Sequence, residues 1–409
     1  MIRTRAWLAL AVLLPVLCSA QAPLLLRNPS LSQDRVAFLY ADDIWTVSRQ
    51  GGEAERLTSD GHVDGGPFYS YDGAWIAYSA HLNGNTDAYV IPAAGGIPRR
   101  ITWHPDGSMV VGWSPDSKDV LIRSGQTSYR DYDRLFRVHA DGSGVPEPLP
   151  VPTGVQASFS PDGQSLAYQP ITKWQDAFKR YVGGQTTPIW VVDLKTLDLV
   201  KVPRENSSDS NPVWVGNSIY FLSDRSGPVS LFRYDTGSKQ VSPVTPNTGL
   251  DLKTFQAGPG GLVYEQFGSI HLYDTAANTD KAIAVQIHGE LSSLAPHRVA
   301  LTPNEIHNAA LSPTGARAVF EAHGEIFTVP AEKGETRNLT RTSNVAERDP
   351  SWSPDGKTIA YFSDASGEYQ LYLQDQTGFK APTVIDLGPE PSYFYSPTWS
   401  PDSKHIAYS

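Results

Sequence analysis

Few side chains in the sequence have types and spacings that suggest chemistry. His62 and Asp64 stand two positions apart in a glycine-rich turn and could supply half of a metal site, although a zinc site needs more ligands. We interpret them as part of a solvated loop. Asp131 and Asp133 could place two carboxylates on one face of a strand, but neither a third ligand nor the glycine turn of a calcium loop accompanies them. We therefore predict no metal site and no cofactor.

Motifs for nucleophilic and phosphate chemistry are also absent from the sequence. It has no Gly-x-Ser-x-Gly elbow, no His-Glu-x-x-His motif and no phosphate-binding glycine loop. The single cysteine is Cys18, so a cysteine nucleophile or a disulfide within the folded part is excluded once the N-terminal segment is removed. We predict that this chain carries no catalytic residue. Whether it belongs to an enzyme stays open.

One segment combines charge and aromatic side chains outside any regular pattern. It contains five weak candidates for ligand binding, namely Lys173, Trp174, Lys179, Arg180 and Tyr181. Cationic groups beside aromatic rings suit carboxylates, so the hypothesis is that this segment contacts the carboxylates of a ligand or a neighbouring domain. The alternative is a loop that only packs between structural units.

The N-terminal segment, residues 1–20, has the features of a signal peptide. Arg3 and Arg5 form a positive region, an apolar stretch follows, and Ser19 and Ala20 offer small residues for cleavage. The sequence therefore predicts a periplasmic or secreted protein with no membrane attachment after cleavage. A retained anchor is the alternative.

Length and composition favour a β-rich protein of more than one domain. The chain has 409 residues, 34 glycines, 32 prolines and 19 tyrosines, a profile that suits many short strands. The net charge of -10 comes from scattered acidic residues, and no basic stripe is present. We therefore exclude nucleic acid as a partner.

A repeated turn organises these strands. The tetrapeptide Ser-Pro-Asp-Gly occurs at 160–163 and 353–356, with variants at 114–117 and 400–403 and weaker copies at 32–35, 70–73 and 312–315. Proline presets one turn dihedral, aspartate caps the turn and glycine accepts positive φ, so each copy predicts a chain reversal between two strands. Four short strands per repeat of roughly 40 residues are typical of a β-propeller blade.

Counting these seven turns together with the equivalent positions Asn217 and Gly260 gives nine repeat starts. We predict an all-β protein with a six-bladed propeller of four-stranded blades at 23–285, a junction at 286–308 and the first blades of a second, incomplete propeller at 309–409. Because the ninth repeat stops in its second strand, we expect a fragment of a longer protein. Residues 24–29 can serve as the inner strand of the first blade, so we expect an open ring without strand exchange.

The ordered set of repeats resembles the tricorn serine peptidase family. The run at 24–29, the pair of blocks at 34–38 and 42–45, the insertion at 173–184, and the blocks at 217–224 and 268–273 follow the order of that family's N-terminal propeller. The resemblance implies the non-catalytic, substrate-gating and scaffold region of a serine peptidase that degrades peptides. The predicted signal peptide, in which this chain departs from the family's prototype, adds that the peptidase is exported. The resemblance also implies protease domains beyond this chain, homo-oligomerisation, and a cytoplasmic location as the alternative known for the family's prototype.

Two other functions remain compatible with the sequence. Similar turns occur in stand-alone periplasmic propellers of the TolB type, which bind partners, and in the propeller of prolyl-oligopeptidase-like enzymes. The reading frame beyond Ser409 would discriminate among the three. Peptide specificity and oligomeric size are not encoded in any motif that we recognise.

Overall fold

The computed structural model describes residues 24–128, 132–173, 181–247, 249–289, 291, 294, 298, 300–342, 345–388 and 392–409. In these ranges the chain forms eight four-stranded antiparallel sheets, two two-stranded sheets and one 3₁₀ helix at Pro303–Glu305. None of the helical structure in these ranges is long and apolar enough to cross a bilayer. The predicted all-β fold is confirmed.

Each four-stranded sheet is a meander whose strands follow one another in chain order, and we call these sheets blades. The strands of blades one to three are Arg27–Leu31, Arg35–Tyr40, Asp43–Ser48 and Glu55–Arg56; Val63–Tyr69, Trp75–Leu82, Asn85–Pro92 and Arg99–Arg100; Met109–Trp113, Asp119–Ser124, Arg134–His139 and Glu147–Pro148. Those of blades four to six are Gln156–Phe159, Ser165–Gln169, Trp190–Asp193 and Leu199–Lys201; Asp209–Val215, Ser218–Ser223, Ser230–Asp235 and Val241–Pro243; Leu252–Gly258, Gly261–Gln266, Ser269–Asp274 and Thr279–Ala282.

Three further units follow the 3₁₀ helix. Their strands are His307–Leu311, Arg317–Ala322, Glu325–Pro330 and Arg337–Asn338 in blade seven; Glu347–Trp352, Thr358–Ser363, Gln370–Asp375 and Thr383–Ile385 in blade eight; and Thr398–Trp399 with Ile406–Ala407 in blade nine. The first strand of blade seven thus begins two residues before the predicted start at 309. The domain boundaries themselves stay a prediction.

The predicted turns join the first and second strands of the nine units. In blade two the Ser70 hydroxyl donates to Asp72 (2.5 Å) and accepts from the backbone N–H of Trp75 (3.0 Å). Asp72 also accepts from the N–H of Ala74 (3.0 Å). The hydrogen bond from Ser70 is the main cause that lowers the pKa of Asp72. The side chains of the repeat therefore replace the backbone hydrogen bonds that the turn cannot make.

Blades one to six contact one another in a ring. The first strand of each blade lies against the first strand of the next, and that of blade six lies against that of blade one. Six clusters of buried apolar side chains lie between neighbouring blades, one at each contact. The six ringed blades and the three units that follow agree with the predicted count.

The ring closes without strand exchange, as expected. Strand Arg27–Leu31 pairs within blade one, and blade six has four strands of its own. The ring is not left open, however. Val285–Gln286, directly after blade six, pairs in parallel with Gly52–Glu53 of blade one. We call this two-stranded sheet the clasp, and no sequence motif predicts it.

The seam between blades six and one needs two glycines. A Cβ atom on Gly258 would lie 2.4 Å from the carbonyl oxygen of Leu31, and one on Gly51 would lie 2.5 Å from the carbonyl oxygen of Ala284. Both obstacles are backbone atoms, which cannot rotate away. Close approach of two backbones therefore fixes glycine at these positions.

Buried carboxylates explain the Arg-x-Thr sequence at the ends of the fourth strands in blades one and two. Asp87 is fully buried at the start of a third strand and accepts from Arg100 (2.6 Å) and Thr102 (3.1 Å). In blade one Asp43 is held in the same way by Arg56 and Thr58. The motif is a binding site for the blade's own aspartate, because a buried charge must be paired and hydrogen-bonded.

Blade seven keeps the carboxylate and the threonine but loses the arginine. Thr340 donates to Glu325 (2.5 Å), while Asn338 stands where blades one and two have arginine. Glu347 of blade eight, also buried, adds a second carboxylate nearby and accepts from Thr342 (2.8 Å). Burial, assisted by the charge of Glu325, raises the pKa of Glu347 to about 7.

Replacing Glu347 by glutamine should remove a pH-dependent cost to stability. The folded state holds the Glu347 proton up to about pH 7, whereas the unfolded chain loses it near the ordinary value of 4.5. Stability contributed by Glu347 is therefore complete below pH 4.5 and falls as pH rises toward 7. We expect Glu347→Gln to be more stable than wild type by about 2 kcal/mol at pH 8 and by far less at pH 4.5.

Urea unfolding followed by tryptophan fluorescence at several pH values measures this difference. The matched control is Glu332→Gln, the same change at an exposed position. A stability difference between Glu347→Gln and wild type that stays constant with pH would contradict the assignment.

Candidate functional site: the axial channel

The first strands of the six ringed blades line one cavity on the ring axis. Its volume is about 670 Å³, within the usual range of ligand sites. The wall includes residues of all six first strands and of the turns that follow them. We call this cavity the axial channel and the end formed by the Ser-Pro-Asp turns the turn face.

Uncharged polar side chains are prominent on the channel wall. They are accompanied by apolar side chains such as Trp113 and Trp214. The Oε1 atom of Gln156 is buried and has no hydrogen-bond partner among the described residues. An unpaired buried acceptor favours a ligand that donates an N–H or O–H group. The polar wall residues are Asn28, Ser30, Gln156, Asn211, Thr254 and Gln256.

Hydrogen bonds between blades hold this wall in place. The side chain of Asn211 in blade five donates to the carbonyl oxygen of Phe255 in blade six (2.7 Å). Glu265 of blade six accepts from the backbone N–H of Asn28 (3.1 Å) and from Thr254 (3.2 Å). Burial raises the pKa of Glu265. The wall residues are therefore positioned before any ligand arrives.

The titratable groups of the wall differ in charge. Burial raises the pKa of Tyr69 to about 12, so its phenol stays neutral at physiological pH. Asp72 at the turn face has a lowered pKa and stays ionised. Asp64 and Arg123 also belong to the lining, so the channel presents a largely neutral wall with a few charged groups of both signs.

The acidic and histidine residues considered as metal ligands in the sequence analysis do not group together. His62 is exposed, and Asp64 accepts from the hydroxyl of Thr86 (3.0 Å). Asp133 pairs with Arg123 (3.2 Å), and Asp131 lies outside the described residues. Within the described ranges no three histidine, cysteine or acidic side chains group as a metal site would require.

The binding candidates of the insertion are only partly described. Trp174, Lys179 and Arg180 lie outside the described residues. The insertion leaves blade four between its second and third strands, so it emerges on the face opposite the turn face. Burial raises the pKa of Asp224, and the positive charge of the nearby Lys173 partly offsets this rise. Tyr181 lies close to Gly183. The binding role of these five residues stays a prediction.

Sequence reasoning missed the channel residues. They lie on first strands, which carry no repeated side-chain motif, whereas the turns and the third and fourth strands do. Their position relative to the turn was the usable signal. Gln156, for example, lies four residues before Ser160, the first residue of its turn, and Thr254 lies four residues before Gly258, the equivalent position in blade six.

Comparison with known proteins points to one family. A sequence model described as the tricorn protease N-terminal beta propeller domain matches residues 23–279. The putative tricorn protease homolog 2 of Streptomyces coelicolor is 27% identical over 378 residues, covering 89% of this chain and 32% of that protein. The tricorn protease of Thermoplasma acidophilum is 25% identical over 320 residues, covering 75% of this chain and 29% of that protein.

The fold is shared with a solved member. The crystal structure of the tricorn protease superposes with a TM-score of 0.58 at 20% identity, covering 94% of this chain and 46% of that one. The chain spans about a third of the length of the two curated relatives. Since the family match extends over more than half of the chain, this protein belongs to the family of tricorn protease N-terminal β-propeller domains.

Proposed function

We propose that this chain is the non-catalytic, substrate-gating and scaffold region of an exported tricorn-like serine peptidase that degrades peptides. The observation that carries the proposal is the axial channel, whose wall draws on all six blades and holds about 670 Å³. The proposal assigns peptide cleavage to protease domains outside this chain. It also includes assembly of the whole peptidase into a homo-oligomer.

The chemistry of the channel wall suits peptides. An extended peptide offers a neutral N–H and C=O at every residue, whatever its sequence. Side-chain amides such as Gln156 and Asn211 can donate and accept, and hydroxyls such as Thr254 can do the same. A mostly neutral wall contacts the backbone of many peptides without selecting one charge.

The export part of the proposal rests on residues 1–20, which lie outside the described residues. Expression of the chain with its own leader tests it. We expect the product in the periplasm or the medium, with an N-terminus generated just after Ala20. A product that stays in the cytoplasm with Met1 retained, or with Met1 alone removed, would contradict export.

Peptide binding by the purified chain tests the channel. We expect a fluorescein-labelled, unstructured decapeptide to bind without being cleaved. Gln156→Trp should weaken binding by about tenfold or more, since a larger side chain fills part of the wall and removes the acceptor. Fluorescence anisotropy gives the affinity, and mass spectrometry detects cleavage.

The control is Gln164→Trp, the same change in the exposed turn of blade four. It should leave affinity unchanged. Equal weakening by both variants, or no binding by the wild type, would overturn the role of the channel. Cleavage of the peptide by the purified chain would overturn the non-catalytic assignment.

A further inference from the structure

The second residue of the strand-joining turn is aromatic in one of the six ringed blades. The second turn residue is proline in blades three and four, at Pro115 and Pro161, and also in the turns of blades seven to nine. Blade two has Tyr71 there, and Tyr71 is part of the channel lining. The other ringed blades have Gln33, Gly216 and Pro259 at this position, so Tyr71 is the one aromatic side chain among the six turns.

The Tyr71 side chain reaches across the turn face. It lines the same cavity as Ser158 of blade four, and Ser158 lies near enough to influence its phenol. Tyr71 is 52% exposed and forms part of the lining of the channel. Protein nevertheless surrounds it closely enough that burial raises the pKa of its phenol. The ring therefore stands over the channel opening and not on the outer surface.

Blade three leaves room for this reach. Its first strand has Gly112 two residues before the turn serine, the position that Ser158 occupies in blade four. A Cβ atom at Gly112 would meet only the carbonyl oxygen of Ala157, at 3.7 Å. The first strand of blade three, which lies between blades two and four, therefore has no side chain at the position equivalent to Ser158.

Both ends of the reach are anchored. The N–H of Asp72, next to Tyr71, donates to the hydroxyl of Ser117 in blade three (3.1 Å). The hydroxyl of Ser158 accepts from the N–H of Trp214 in blade five (3.0 Å). Tyr71 therefore projects from a turn tied to the neighbouring blade, toward an acceptor fixed by another.

We propose that Tyr71 is the constriction residue of the channel at the turn face, where with Ser158 it admits slender, extended peptides and slows bulkier groups. This inference rests on the proposed function in one respect, namely that the molecules passing through the channel are peptides. The constriction itself is a property of the channel and can be measured without a peptide.

Thiol labelling measures passage through this opening. Cys18 is the only cysteine of the sequence, so in a Cys18→Ser background a cysteine at position 156 is a single reporter. Gln156 lies two residues deeper in blade four than Ser158. Iodoacetamide serves as the small probe and fluorescein-5-maleimide as the bulky one. The measured quantity is the ratio of the two labelling rates.

The main variant is Tyr71→Pro, which the homologous turns already contain and which should therefore fold. We expect it to raise the relative rate of the bulky probe by about fivefold or more, since the ring no longer obstructs the opening. Tyr71→Phe keeps the ring and should retain most of the wild-type ratio. For a reporter cysteine placed at the exposed position 164, the ratio of labelling rates should stay the same in both variants.

Two results would overturn the constriction. One is an unchanged rate ratio in Tyr71→Pro, and the other is equal opening by Tyr71→Phe and Tyr71→Pro. The labelled decapeptide separates this inference from the proposed function. If Tyr71→Pro alters probe access but the wild type binds no decapeptide, the constriction is supported and the peptide channel is overturned. If the decapeptide binds but probe access is unaltered, the peptide channel is supported and the constriction is overturned.

Discussion

Gly258→Ala is expected to destabilise the ring by about 3 kcal/mol or more, because the new methyl group would overlap the backbone of the neighbouring blade. The added Cβ would lie 2.4 Å from the carbonyl oxygen of Leu31 and 2.8 Å from its Cβ atom. Blades six and one must separate to admit it. That movement would weaken the apolar cluster between them, which includes Phe38 and Val263.

The matched control for this change is Gly112→Ala, on the first strand of blade three. There the nearest atom would be 3.7 Å away, an ordinary contact, and neither glycine has positive φ. Guanidinium unfolding midpoints compare the two variants with wild type. If both alanine variants unfold at the same denaturant concentration, the seam is not as tightly packed as the structure indicates.

Asp87→Ala is expected to cost about 3–5 kcal/mol, the usual effect of breaking a buried ion pair from one side. Asp87 is fully buried, and its loss leaves Arg100 and Thr102 without their acceptor. The Arg100 side chain is about one-third exposed, so water can relieve part of this cost. We therefore expect the lower half of that range.

The control for Asp87→Ala is Glu55→Ala in blade one. Glu55 pairs with Arg35 at 2.8 Å, but the glutamate is 71% exposed. Exposed pairs contribute about 0–1 kcal/mol. Thermal unfolding followed by circular dichroism should therefore show a large shift for Asp87→Ala and little for Glu55→Ala. Similar shifts for the two variants would mean that burial does not decide the strength of these pairs.

The repeat made most of the fold predictable. Each Ser-x-Asp turn forms its own hydrogen bonds, as Ser70 and Asp72 show, so local sequence alone specifies the position of each hairpin. The third strands were equally predictable, because they carry aromatic side chains such as Trp45 that pack between blades. The fold and the family could thus be predicted before any coordinates.

Contacts between distant residues were not predictable. Arg56 and Thr58 bind Asp43, which lies more than ten residues earlier in the chain. The seam joins Gly258 to Leu31, and no local pattern encodes such a meeting. A single sequence allows contacts between residues close in the chain to be predicted. It does not show which residues far apart in the chain will contact each other.

The clasp gives the ring an unusual mechanical property. Its hydrogen bonds, from Gly52 to Ala284 and from Ala54 to Gln286, are both 2.9 Å long and lie side by side between parallel strands. Tension applied to the chain beyond Gln286 runs along that strand, so it loads the two bonds together in shear and does not peel them one after the other. Because the same strand leads toward blade seven, movement of the later blades would pull directly on the seam of the first ring.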